Sequence, residues 1–167
     1  TSGWWHGADK IVTTDPKIQP ISNKFMRLIR DPLGASDWFE FFVGTSGSDI
    51  AKGTKNIPAD AIENPEKYYM KFEINTLKPL TGARLKIYIG NNMGGERGSN
   101  FYSWYPNIDT KGEWETVTIP FEDVMKPLTV TVNPAGYDLS FWFHAGLAAG
   151  RADLGIDNFR VVPKSSK

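Results

Sequence analysis

The sequence predicts an all-β domain, a sandwich or a barrel, and three observations carry that expectation. Apolar and polar residues alternate along several short stretches, as the two faces of a half-buried strand require. Clusters of Gly, Pro, Asn, Asp and Ser separate those stretches, in a chain with Gly 16 and Pro 11. Almost nothing recurs at the spacing of an amphipathic helix. The 167 residues suffice for one sizeable core, so a single domain over 1–167 is expected. The chain opens on Thr1 and closes on Pro-Lys-Ser-Ser-Lys, which reads as a module excised from a larger protein.

Trp4, Trp5 and His6 come first, followed by a Lys, Thr, Asp and Pro segment up to Pro20. Residues 25–30 read as a short strand and 31–37 as a turn by composition. Residues 38–43 form a strand with Phe39, Phe41 and Val43 on one face and Trp38, Glu40 and Phe42 on the other. Residues 45–56 are a polar loop, and 58–65 hold a helical turn that Pro65 limits. Over 67–76, Tyr68, Met70, Phe72 and Ile74 face one way, and Tyr69, Lys71, Glu73 and Asn75 the other. Residues 84–90 repeat this, with Leu85, Ile87 and Ile89 against Lys86 and Tyr88.

Residues 91–99, rich in Gly and Asn, read as the most flexible stretch, and Phe101, Tyr102, Trp104 and Tyr105 follow at once. Residues 109–112 turn the chain into a strand over 113–121, where Pro120 marks an edge or an end. Trp114, at the start of that strand, reads as structural. A short β-branched strand is expected at 128–132. Over 137–144, Tyr137, Leu139, Phe141 and Phe143 form an apolar row, and Asp138, Ser140, Trp142 and His144 form the other. A small-residue loop leads to the closing strand at 156–162, which is expected to pair with the first.

Several function classes are excluded or disfavoured by totals. Lys+Arg 19 against Asp+Glu 19 leaves no excess positive charge for a nucleic acid. No cysteine and two histidines rule out the familiar zinc spacings. No apolar run is long enough to cross a bilayer, so direct membrane insertion is not expected. Neither a Ser-His-Asp set nor a phosphate-binding loop is recognisable, and the acids present are those any strand surface supplies.

What stands out is Trp142, a very large ring among polar row-mates. Sugar rings present C–H patches on their faces and hydroxyls at their rims. Flat indoles and phenols suit the faces, and polar side chains suit the hydroxyls. The expected ligand-binding set is Trp104, Trp142, Tyr102, Tyr105 and Trp5, with Tyr88, His144, Lys71 and Asn75 reading hydroxyls. Trp104→Ala and Trp142→Ala are each expected to weaken binding with the melting temperature nearly unchanged. Asp157 falls in the row of Phe159 and Val161, and an inward carboxylate needs a partner, for which a structural calcium is one candidate. The alternatives are a glycoside hydrolase or lyase fragment, which would need two carboxylates flanking a bond, and a protein-interaction sandwich.

The run Gly-Ile-Asp-Asn-Phe-Arg-Val-Val at 155–162 resembles β-jelly-roll carbohydrate-binding modules, as do the strands around 112–120 and 68–75. With the opening Trp4, Trp5, His6 and Gly7, the chain is most similar to the C-terminal glycan-binding domain of Bacteroidetes surface glycan-binding proteins, of the xyloglucan-binding-domain type. That resemblance implies a jelly-roll sandwich of two antiparallel sheets. It implies a non-catalytic module outside the cell on a lipid-anchored outer-membrane protein; a monomer that requires no cofactor is expected, with a secreted enzyme as the other setting for such a module. It also implies a flat aromatic platform for an extended β-linked plant polysaccharide such as a β-glucan, xyloglucan, mannan or xylan. Trp104 and Trp142, with Tyr102 nearby, are where it would place that platform.

Overall fold

Alternation in residues 68–76 organises the fold. Tyr68, Met70, Phe72 and Ile74 are all buried, and they meet Ile87 and Ile89 in one apolar cluster. Two antiparallel sheets therefore pack face to face, as expected. A computed structural model of the chain describes residues 9–13, 25–30, 38–42, 57–80, 84–90, 101–128, 138–144 and 152–165. The strands are β1 (Asp9–Thr13), β2 (Phe25–Arg30), β3 (Trp38–Phe42), β4 (Tyr68–Thr76), β5 (Arg84–Gly90), β6 (Tyr102–Trp104), β7 (Glu115–Pro120), β8 (Asp138–His144) and β9 (Ala152–Pro163). One sheet runs β1-β2-β9-β4-β7 and the other β3-β8-β5-β6. The expected pairing of residues 25–30 with the closing strand is present, as β2 against β9. Pro120 lies on an edge strand, where its missing N–H costs no ladder bond.

Three elements escaped the sequence reading. β1 adds a strand outside β2, β6 forms within the aromatic cluster, and a short helix α2 (Phe121–Met125) follows Pro120. Phe121 and Val124 are buried, so α2 caps the core between the sheets with an i, i+3 pair. The turn expected at 58–65 is the helix α1 (Ala59–Glu63), with a 3-10 turn at Pro65–Lys67. Tyr68 Oη donates to Asp60 Oδ2 at 2.6 Å and ties α1 to the start of β4. The loops expected at 45–56 and 91–99, the strand expected beyond Leu128, and Trp4, Trp5 and His6 lie outside the described residues.

A bulge in β9 overturns one expectation. Lys71 pairs with Arg160 and Glu73 with Asp157, so Phe72 alone faces two residues, Asn158 and Phe159. Asn158 takes the left-handed conformation at φ 51° that such an extra residue calls for. Ile156 and Val161 are consequently both buried although five positions apart. Asp157 belongs to the outer row, opposite Glu73, and its Oδ1 accepts the Asn158 N–H at 2.8 Å. The inward carboxylate that suggested calcium is thereby removed. Among the described residues no three His, Asp or Glu side chains gather to hold a metal.

An aromatic pair packs on the outer face of the five-stranded sheet. Phe25 and the half-buried Trp114 stand edge to face, centroids 5.5 Å apart, above Gly155. Trp114 is structural, as read. A Cβ on Gly155 would lie 3.0 Å from Phe25 and 3.1 Å from Trp114. Gly155→Ala is therefore expected to cost about 1–2 kcal/mol by overpacking. A urea titration would show it as a lowered midpoint at unchanged slope.

Candidate functional site

Strand β5 lies between β8 and β6, and its alternation sorts the four-stranded sheet into two rows. Leu85 pairs with Trp104 and Phe143, and Ile87 pairs with Tyr102 and Phe141. Ile87 is in the central core, so this is the inner row. Lys86 pairs with Ser103 and Trp142, and Trp142 pairs in turn with Glu40 of β3. The outer row thus reads Glu40, Trp142, Lys86, Ser103, one residue from each strand. Flanking it are Trp38, His144 and Arg84 on one side and Phe42, Ser140 and Tyr88 on the other.

The β6 end of this face is described in side-chain detail. Phe101 is half-buried, and the Lys86 ammonium stands 4.0 Å above the centre of its ring. Ser103 is half-buried between Phe101 and Tyr105 in sequence. Tyr105, just past β6, is 69% exposed. A short edge strand of three residues lets the chain leave the sheet early and carries Tyr105 into solvent.

Of the expected site residues, register keeps Trp142 and His144 in the outer row, and Tyr105 is open to solvent. Four others are not open on that face. Trp104 and Tyr102 belong to the inner row. Both are half-buried against the central core, and Trp104 stands edge-on to Phe72 at 5.8 Å. Burial, and then the negative charge of Asp123, raise the Tyr102 phenol above its ordinary pKa. Tyr88 is in the outer row but only 1% exposed, so it cannot offer its hydroxyl to a polymer. Asn75 is 0% exposed, and its Nδ2 donates to the Gly112 carbonyl at 2.6 Å. It fastens the 109–112 turn to β4.

Lys71 is separated from the others by the whole sandwich. It projects from the outer face of the five-stranded sheet, with its Nζ 5.7 Å from the Tyr69 ring. Sequence reasoning takes residues 101–105 as one aromatic cluster and does not single out Phe101 or Ser103 within it. The deciding signal is not in the sequence: pairing with Leu85 and Ile87 puts Trp104 and Tyr102 in one row and leaves Phe101, Ser103 and Tyr105 on the opposite side.

An outer sheet face with an exposed phenol and interspersed polar groups suits a ligand that is part apolar and part polar. The family model of the surface glycan-binding protein B xyloglucan binding domain matches residues 1–163. The chain belongs to that family. It is a carbohydrate-binding module of the xyloglucan-binding type, in a family of cell-surface proteins. Solved structures share its fold. The family 30 carbohydrate-binding module of a cellulosomal cellulase of Clostridium thermocellum is 14% identical, with TM-score 0.62 over 95% of this chain and 87% of that one. The surface glycan-binding protein B from a complex xyloglucan utilization locus in Bacteroides uniformis is 18% identical, with TM-score 0.61 over 94% and 45%. A structure described as with xylogluco-oligosaccharide is 14% identical, with TM-score 0.62 over 96% and 36%. The module thus spans less than half of the last two chains. No curated protein matches the sequence.

Proposed function

We propose that this module binds an extended β-linked plant polysaccharide, of the xyloglucan, β-glucan, mannan or xylan type, along the outer face of the four-stranded sheet. The observation that carries this reading is the row Glu40, Trp142, Lys86, Ser103, which crosses all four strands and ends beside the exposed Tyr105. Neighbouring strands lie about 4.8 Å apart, so the row spans roughly 14 Å, close to three sugar units of about 5 Å each. Trp142 and Tyr105 stack on pyranose faces, and His144 is among the groups that meet their hydroxyls. The family and the xyloglucan named for two similar structures favour a xyloglucan. The module captures the polymer without cleaving it, as a monomer, and belongs to a larger lipoprotein or secreted protein at the cell surface.

Affinity is modest, because an open, wet contact gains only a few rings of stacking against the entropy of association. Affinity gel electrophoresis against a panel of these polysaccharides tests the reading. Retardation by xyloglucan is expected, and Tyr105→Ala is expected to reduce it with the melting temperature unchanged. Migration unaffected by every β-glycan in the panel overturns it.

A further inference from the structure

We infer that Phe101 does not stack on the glycan but positions Lys86, which reads the hydroxyls of the sugar next to the one on Trp142; this rests on the binding face proposed above. Lys86 lies at the middle of the outer row, between the register positions of Trp142 and Ser103. Its stem is half-buried and its ammonium stands 4.0 Å above the Phe101 centroid. That is well within the roughly 6 Å reach of a cation on a ring face.

Two consequences follow. The ring face under the ammonium is occupied, so a pyranose cannot lie on it. A long lysine side chain on an open sheet would otherwise sample many rotamers, and ordering it on binding costs free energy. Held over Phe101, it has lost most of that freedom beforehand. An ammonium carries three N–H donors, and a ring attracts its charge as a whole rather than through one of them. Sugar hydroxyl oxygens accept such donors, and a charge-assisted bond is stronger than a neutral one. Phe101 is thus a positioning residue and Lys86 the specificity-determining one.

Isothermal titration with a xyloglucan oligosaccharide tests this through a double-mutant cycle. Lys86→Met keeps the apolar stem and removes the donors. Phe101→Leu keeps apolar volume and removes the ring, so the protein stays folded. Lys86→Met is expected to weaken binding about tenfold, the scale of one charge-assisted hydrogen bond at a partly wet site. Phe101→Leu is expected to weaken it about threefold, the scale of an exposed cation–ring contact. In the double variant Phe101→Leu should add nothing to Lys86→Met.

Additive losses would show that Phe101 touches the sugar itself and would overturn the inference, as would parental affinity in Lys86→Met. Either result leaves glycan binding by the parent intact. Absence of binding by the parent is the distinct failure of the face proposed above.

Discussion

Trp104→Ala is expected to lower the melting temperature by roughly 5–10 °C while leaving glycan affinity within about twofold of the parent. The loss follows from where register puts the ring. Trp104 pairs with Leu85 in the inner row and meets Phe72, a fully buried residue of the opposite sheet, edge to face at 5.8 Å and 83°. Removing a fully buried aromatic costs about 3–5 kcal/mol, and a half-buried one correspondingly less, about 2–3 kcal/mol. In a chain of this size each kcal/mol moves the midpoint by about 2–4 °C. Trp142→Ala is expected to do the reverse. Its position lies in the outer row, so affinity should fall at least tenfold, on the order of 1.4 kcal/mol, with the melting temperature moved by less than about 2 °C. Thermal melts and gel retardation on the two variants separate the assignments. Lost binding with unaltered stability in Trp104→Ala would return that ring to the platform.

The contrast between the two tryptophans marks what could be read from sequence. Alternation gave the strands around Phe72, Ile87 and Phe141 correctly, because one apolar face per strand is a local pattern. It could not say which row of 101–105 faces inward, since both contain aromatics. Only pairing of Trp104 and Tyr102 with Leu85 and Ile87 decides that, and pairing is not local. The same limit explains Lys71 and Asn75. Their alternation was read correctly as an outer row, but sheet membership places that row on the opposite side of the sandwich from Trp142. Asn75 and Tyr88 show further that an outer row need not be exposed. Asp157 failed for a different reason. One extra residue at Asn158 inverts the parity of every side chain beyond it, and nothing in the string Ile-Asp-Asn-Phe-Arg announces the insertion. Helix α2 was hidden because five residues offer too little of a helical period to register.

The bulge also supplies the second large effect. Arg160 Nη1 and Nη2 donate to Glu73 Oε2 and Oε1 at 2.6 and 2.8 Å, and Thr116 Oγ1 donates to Oε1 at 3.0 Å. Arg160 Nη1 also donates to the Asn158 carbonyl at 2.7 Å, so one guanidinium fixes the bulge to β4 and, through Glu73, to edge strand β7. The Glu73 side chain is only 8% exposed. Burial pushes its carboxyl pKa up, but the Arg160 and Thr116 hydrogen bonds and the Arg160 charge outweigh that and hold it below the ordinary value. A carboxyl with a depressed folded pKa stabilises above its unfolded value, near 4.3, and loses that contribution as pH falls through the folded value.

Arg160→Met removes the opposing charge and leaves the desolvation. Glu73 then titrates above its unfolded value, and the sign reverses: ionisation at neutral pH destabilises, and protonation relieves the burden. The variant should lose about 2 kcal/mol at pH 7, less than the roughly 3–5 kcal/mol of breaking a fully buried pair, because the guanidinium is partly exposed. Relative to the parent, that deficit should shrink as pH falls from neutral into the ordinary carboxylate range and the stranded carboxyl takes up a proton. Urea titrations of both proteins across this range measure it, and Glu73→Gln in the Arg160→Met background should recover most of the loss at pH 7. A deficit constant with pH would mean that Arg160 supports the bulge through packing and its bond to Asn158 rather than through the charge of Glu73.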